Sequence, residues 1–221
     1  NPVLQKVFTK LEKCRLITIG EKAKNFILES NTKENCSLCT FNVQSFNAHI
    51  CDLTRDFVIP MCKILAFSET WIDDNLTYDM PEYKLISSFK RSGEKKKYSG
   101  MCVYNFKHNI ERSSKIPIQN LLMYSLTAID SKKTHEQDKI KTTPIILVGD
   151  FNINFNTEDG NNLIRFLKET WNFEMSNDRN LPTTKNQTCI DAVFSNNINK
   201  ITTMRYISYF SHHRPLLSSI S

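Results

Sequence analysis

Short apolar segments that each end in a polar residue are the feature of this sequence that most constrains its fold. The most hydrophobic one, Ile-Ile-Leu-Val at 145–148, suits a buried strand and is far shorter than the ~20 residues that cross a bilayer. Elsewhere apolar side chains recur at helical spacing, most clearly at Leu163, Phe166, Leu167 and Trp171. Strands that alternate with helices in this way predict an α/β domain.

The remaining elements are predicted from the same two patterns, which are short apolar segments for strands and helical spacing of apolar residues for helices. Strands are predicted at 38–43, 64–67, 101–104, 145–148 and 189–194. Apolar residues three and seven positions after Ile50 predict an amphipathic helix that ends near Pro60. Residues 1–34 are rich in Lys and Glu, and we expect them to form a helical extension or connector outside the main core. Residues 35–221 then form one domain.

The composition is typical of a folded intracellular protein. Hydrophobic residues make up 40% of the 221 residues and charged residues 24%, which excludes a disordered or collagen-like chain. The seven scattered cysteines are unlike the dense, even sets of small secreted proteins. Cys36 and Cys39 form a lone C-x-x-C, which we interpret as ordinary strand residues because a structural zinc needs four ligands. Since the chain begins at Asn1 without Met or an apolar signal segment, we expect part of a longer reading frame that is not secreted.

The basic charge of the chain favours a polyanionic partner. The net charge is +6 and the pI is about 8.9. Part of this charge is concentrated in one polar stretch beside two Ser-Gly pairs. Its basic residues, which we predict to bind substrate, are Lys90, Arg91, Lys95, Lys96 and Lys97. A solvated surface loop explains the same stretch equally well, so charge alone does not decide the function.

Polar residues at the ends of the predicted strands are the candidate site. They are Asn42, Glu69, Asp150, Asn152, Asp191 and His213, the last in the segment Ser-His-His-Arg-Pro at 211–215. Because α/β folds place their sites at the carboxyl ends of strands, we expect these side chains to meet. Taken singly, each is explained as well by a helix cap or a turn, and only the ordered set is specific.

The ordered set resembles the motifs of the endonuclease/exonuclease/phosphatase superfamily. The matching segments are TFNV (40–43), FSETW (67–71), LVGDFN (147–152), TCIDAVF (188–194) and YFSHHRP (209–215). The SETW start and the stretch DRNLPTT (178–184) resemble the abasic-endonuclease-like domains of non-LTR retrotransposons or Helitron-type mobile elements. The resemblance implies a four-layer sandwich over 35–221, in which two packed mixed β-sheets are flanked by helices and the site lies at their shared edge.

The resemblance also implies a metal site and a catalytic set. Glu69 is implied as the principal ligand of Mg²⁺, with Asn42 beside it and Mn²⁺ as an acceptable substitute. Carboxylate and amide oxygens are the donors that such hard cations prefer.

The catalytic roles come from the same resemblance. Asp150 is implied to align or deprotonate the attacking water, and Asn152 to hold that water or a phosphate oxygen. His213 would donate to a non-bridging oxygen or assist proton transfer, while Asp191 fixes its tautomer and raises its pKa. The product is then a nick with 5′-phosphate and 3′-hydroxyl ends.

Three departures from the family pattern bear on activity. The usual carboxyl-terminal motif is Ser-Asp-His, and His212 replaces its Asp, so we expect weaker catalysis with His212 as a supporting residue. Gln44 stands where abasic-site enzymes carry an acid. The segment 107–143 is short for the expected strands and offers only Tyr124 for a supporting tyrosine, so we expect the sheet to lack a strand there.

We therefore predict a Mg²⁺-dependent DNA endonuclease that nicks a strand for a mobile element, fused in the full protein to a helicase or reverse transcriptase. A nuclear location and no membrane association follow from that substrate. Two alternatives remain open at this point. One is a non-catalytic, nucleic-acid-binding remnant of such a domain. The other is a phosphoesterase of the same superfamily with another substrate, since related folds serve many substrates.

Overall fold

The computed structural model describes residues 19–32, 35–72, 79–89, 99–107, 121–123 and 143–221. The strands are β1 (Cys36–Asn42), β2 (Ile64–Ser68), β3 (Tyr83–Phe89), β4 (Met101–Phe106), β5 (Leu121–Met123), β6 (Ile145–Asp150), β7 (Glu174–Met175), β8 (Asp191–Asn196), β9 (Ile201–Arg205) and β10 (Leu216–Ile220). The helices are α1 (19–30), α2 (Phe46–Arg55) and α3 (Glu158–Trp171), with a 3₁₀ turn at Ile59–Met61.

The strands form two mixed sheets. The first has the order β3-β4-β2-β1-β10-β9, in which only β1 and β2 run parallel. The second has the order β5-β6-β8-β7, with β5 and β6 parallel. The predicted strands at 38–43, 64–67, 101–104 and 145–148 are confirmed, and the one at 189–194 begins two residues later than expected, at Asp191.

The two sheets pack face to face with helices outside, as the predicted four-layer sandwich requires. One apolar cluster joins the inner faces and includes Leu38 and Ala66 of the first sheet with Val148 and Val193 of the second. A second cluster lies between the first sheet and helices α1 and α2, and a third lies between the second sheet and α3. The fold class is therefore confirmed.

Strand periodicity decides which polar residues enter the space between the sheets. Side chains alternate between the two faces of a strand. Leu38 is on the inner face of β1, so Asn42, four residues on, shares that face. By the same count Asp150 shares the inner face with Val148, and Asp191 with Val193. Three predicted site residues thus point to the same interlayer space.

Helix α2 ends earlier than predicted. Its N-cap is Ser45, whose hydroxyl accepts a hydrogen bond from the N–H of Ala48. The helix stops at Arg55 rather than near Pro60. The Asp56 carboxylate ends it by accepting hydrogen bonds from the N–H groups of Val58 and Ile59 at 2.9 Å each.

Helix α1 corrects the expectation that residues 1–34 lie outside the main core. Ala23 and Ile27, one helical turn apart, have no exposed surface and belong to the cluster beneath the first sheet. The expectation is thus wrong for residues 19–30. This helix buries an apolar stripe against a sheet face that would otherwise be exposed to solvent. Residues 1–18 lie outside the described part, and the boundary at residue 35 stays a prediction.

In the segment 107–143, the described residues Leu121–Met123 form a short strand. Leu121–Met123 pairs in parallel with Ile146–Val148 and forms one edge of the second sheet. Tyr124 and the remaining residues between 108 and 142 lie outside the described part of the chain.

The cysteines Cys36 and Cys39 are buried in β1 with free thiols, in agreement with their interpretation as strand residues. Within the described ranges, no helix combines the length and apolar character needed to cross a bilayer.

Candidate active site

Two aspartates face each other where the second sheet ends. Asp150 is the last residue of β6, Asp191 is the first of β8, and the antiparallel register pairs them directly. Both are nearly fully buried. Like charges directly opposite in a sheet are destabilising, so positive charge or hydrogen-bond donors must offset this pair.

His213 is the first of the groups that offset the pair. Its Nδ1 lies 2.9 Å from Asp191 Oδ2, and its Nε2 lies 3.8 Å from Asp150 Oδ2. The residue is buried in the segment between β9 and β10. An Nδ1–H donated to Asp191 fixes the tautomer and leaves Nε2 directed toward Asp150.

The acids around His213 favour its protonated form. Burial by itself lowers the pKa of His213, but the hydrogen bond and charge of Asp191, followed by the charges of Asp150 and Glu69, outweigh it and raise that pKa. Burial also raises the pKa of Asp191 to about 6, against the hydrogen bond from His213. The arrangement is suited to hold a proton beside a buried carboxylate pair.

Asn42 connects the first sheet to this pair. Its Nδ2 donates to Asp150 Oδ2 at 3.0 Å, and its Oδ1 accepts from the N–H of Gln44 at 3.2 Å. The last residues of β1 and β2 are paired in parallel register. The site is therefore shared by both sheets.

Glu69 and Asn152 lie in strained backbone beside the site. Both have left-handed φ values, 50° and 53°, as does Gln44 at 48°. Such conformations persist where the surrounding structure holds them, and they are common at functional sites. The N–H of Asn152 donates to Asp150 Oδ1 at 2.9 Å while its side chain is exposed. Glu69 follows β2 directly, and its charge reaches His213.

His212 is held through its backbone. Its N–H donates to Gln44 Oε1 at 3.0 Å, and its carbonyl accepts from the N–H of Lys185 at 3.0 Å. Its ring lies beside that of His213, with centroids 5.8 Å apart. The basic loop at 90–97, with Lys90, Arg91, Lys95, Lys96 and Lys97, lies outside the described residues.

Two residues of the site were missed by sequence reasoning. Thr183 is fully buried, and its hydroxyl accepts from the N–H groups of Ile190 and Asp191 at 3.0 Å each. Gln44 contacts the segment that carries His213. Thr183 lies in the stretch 178–184, which was noticed only for its resemblance, while Gln44 was noticed only for the acid it replaces.

The donor set suits a divalent cation. Ligand atoms of Asp150, Asp191 and His213 all lie within 4.8 Å of one another. A cation would neutralise the two facing carboxylates, and oxygen donors are those that Mg²⁺ prefers. This cluster differs from the predicted ligand pair Glu69 and Asn42, and that assignment stays a prediction.

Comparisons with solved structures show which known fold this chain has. In comparisons of sequence, no family model and no curated protein matches the chain. A 3′ phosphatase (NExo) from Neisseria, bound to a product DNA hairpin, superposes with a TM-score of 0.59 at 13% identity, over 84% of this chain and 99% of that one. The chain therefore has the fold of the endonuclease/exonuclease/phosphatase superfamily, as the sequence motifs predicted.

Two further solved structures share this fold. The endonuclease domain of TRAS1, a telomere-specific non-LTR retrotransposon, superposes with a TM-score of 0.57 at 14% identity, over 84% of this chain and 98% of that one. An AP endonuclease from Archaeoglobus fulgidus gives 0.54 at 15% identity, over 84% and 99%. Identities this low establish the fold and leave the reaction to be argued from the site.

Proposed function

We propose that this protein is a divalent-metal-dependent phosphodiester hydrolase that nicks one strand of DNA. The observation that carries the proposal is the buried group of Asp150, Asp191 and His213 at the edge where the two sheets meet. Such a group combines a carboxylate able to accept a proton with an imidazole held in a defined tautomer.

Asp150 is the proposed base for the attacking water. The N–H of Asn152 and the amide of Asn42 each donate to one of its oxygens, so the carboxylate cannot rotate freely. Water attacks phosphorus, its proton passes to Asp150, and the bond from phosphorus to the 3′ oxygen breaks. The leaving oxygen takes a proton from solvent, which gives 5′-phosphate and 3′-hydroxyl ends.

His213 is the proposed donor to the phosphate. Its Nδ1 is committed to Asp191, and the raised pKa of His213 favours the imidazolium form, in which Nε2–H can donate to a non-bridging oxygen. A donor preorganised at the point where negative charge develops stabilises the transition state without reorganising during the reaction.

A divalent cation would neutralise the phosphate as it is attacked, and Glu69, Asn42 and the carboxylate of Asp150 are the residues that would hold it. We expect Mg²⁺ to raise the melting temperature of the DNA-free protein, since a ligand that binds only the folded state stabilises it. The same titration with Asp150→Asn should give a smaller shift, and an equal shift would contradict this site.

Two observations support DNA as the substrate and a role in a mobile element. The chain carries a net charge of +6, which favours a polyanion. Its motifs resemble mobile-element endonucleases, and the TRAS1 endonuclease domain shares its fold. We therefore propose that the nick serves integration of an element in the nucleus, with a helicase or reverse transcriptase domain in the same protein.

The direct test is nicking of supercoiled plasmid with Mg²⁺ at low salt. The chain should convert plasmid to the nicked circle, and Asp150→Ala and His213→Ala should each abolish conversion. Asp52→Ala, which removes an acid from the exposed side of α2, serves as the matched control and should nick at the normal rate. Binding without cleavage, with a steep dependence on salt, would show instead a remnant that kept only its DNA-binding surface.

A further inference from the structure

Gln44 contacts the segment that carries His213, although it follows a different strand. The Gln44 Oε1 accepts the N–H of His212 at 3.0 Å. The same oxygen lies 3.4 Å from the hydroxyl of Ser211. Because a backbone N–H can only donate, the amide oxygen and not the amide nitrogen must face this segment.

Ser211 continues the connection to His213. Its hydroxyl donates to the carbonyl of Asn42 at 2.8 Å and accepts the N–H of His213 at 3.1 Å. A hydroxyl has one proton, so the shorter contact, to Asn42, takes it. The backbone around His212 is therefore tied to Asn42, the last residue of β1, and to Gln44, two residues beyond it.

The contacts form a closed ring around the site. Asp150 accepts from Asn42, Asn42 accepts from the N–H of Gln44, and Gln44 holds His212. The ring closes through His213, which is bonded to Asp191 and faces Asp150. Gln44 and Ser211 are the members whose side chains join the end of β1 to the segment before β10.

We infer that Gln44 is a positioning residue, which holds the backbone of residues 211–213 so that His213 Nε2 faces Asp150. It acts through Ser211 and His212 and contacts none of the proposed reacting atoms. The inference deepens the proposed function, on which its catalytic consequence rests.

Two substitutions of similar size separate this role from others. Gln44→Met removes the acceptor and keeps the length of the side chain, while Gln44→Glu keeps an oxygen that can accept the N–H of His212. Neither new residue is β-branched, so both meet the same backbone cost at φ 48°. The readouts are amide hydrogen exchange of residues 207–213 in EDTA and the kinetics of plasmid nicking.

For Gln44→Met we expect exchange in this segment to speed up about tenfold, the effect of losing one hydrogen bond. The kcat for nicking should fall about tenfold or more, with KM for DNA nearly unchanged, since binding does not use Gln44. Gln44→Glu should restore both the protection and kcat. Protection that returns in EDTA is independent of any metal that a new carboxylate could bind.

Three results would overturn the inference. One is wild-type protection of residues 207–213 in Gln44→Met, and another is faster exchange with unchanged kcat. The third is failure of Gln44→Glu to restore protection. If the wild-type protein nicks no DNA, the proposed function fails. The hydrogen-exchange measurement then still tests whether Gln44 holds the backbone of residues 211–213. If Gln44→Met does not fold, Ser211→Ala should reproduce the faster exchange, and normal protection in it would also overturn the inference.

Discussion

Two histidine–aspartate pairs in this molecule have nearly the same geometry and different surroundings. In the site, His213 Nδ1 lies 2.9 Å from Asp191 Oδ2, with both side chains 6% exposed. On helix α2, His49 Nδ1 lies 3.2 Å from Asp52 Oδ2, with side chains 23% and 38% exposed. The residues of the first pair are 22 positions apart in the sequence and lie on different elements, whereas those of the second lie within one helical turn.

The difference shows that environment, and not the pair itself, makes a reactive group. Water screens the exposed pair, and such pairs contribute about 0–1 kcal/mol. The buried pair has lost that water, so its charges act on each other and on Asp150 through a poorly polarisable interior. That is why the pKa of His213 is raised despite burial.

The largest effect should come from breaking the buried pair. We expect Asp191→Ala to lower the nicking rate about 10²- to 10⁴-fold, the range for loss of acid–base assistance. Without Asp191, nothing fixes the Nδ1 proton, and burial lowers the pKa of His213. Initial rates of plasmid nicking at saturating DNA measure the loss. A rate within threefold (roughly the scatter between assays) would contradict the role of the pair.

A more conservative change should alter how stability depends on pH. The pKa values of Asp191 and His213 are both raised in the folded protein, so both contribute stability at low pH that is lost as pH rises through the raised values. For Asp191 this loss falls between the usual pKa of an aspartate and the raised value of about 6. Asp191→Asn keeps an acceptor for His213 but cannot titrate, so its urea-unfolding free energy should fall less from pH 4 to 8. Parallel curves would contradict the assignment.

A support of the buried pair should have a smaller effect. Thr183→Val keeps the shape of the side chain and leaves the N–H groups of Ile190 and Asp191 without their acceptor. We expect a loss of about 1–3 kcal/mol in unfolding free energy. Thr183→Ser is the control, since it retains the hydroxyl. Equal stability of the Val and Ser variants would show that this hydroxyl is dispensable.

The smallest effect should come from the exposed pair. Asp52→Ala removes the partner of His49, and we expect a change of less than about 1 kcal/mol in unfolding free energy. The nicking rate should stay at the wild-type value. A loss comparable to that of Asp191→Ala would mean that the surface pair acts on the site, and the comparison between the two pairs would fail.

The strands and helices with strong periodicity were predictable from sequence. Strands β2, β6 and β8 carry continuous apolar runs, and α3 has an apolar face in which Leu167 and Trp171 are buried. The polar residues at strand ends were predictable for the same reason. Strands β9 and β10, with sequences ITTMR and LLSSI, were not predicted. Much of their pattern is polar, and they form because distant partners supply their backbone hydrogen bonds.

The sequence by itself determined the layers, because alternation of side chains along a strand is local and puts Asn42, Asp150 and Asp191 on inner faces. Only the tertiary structure decided that Asp150 faces Asp191 across a strand pair, that α1 belongs to the core, and that Gln44 holds the segment of His213. Register and long-range hydrogen bonds join residues up to 169 positions apart. Those contacts depend on how the whole chain packs, which no local periodicity contains.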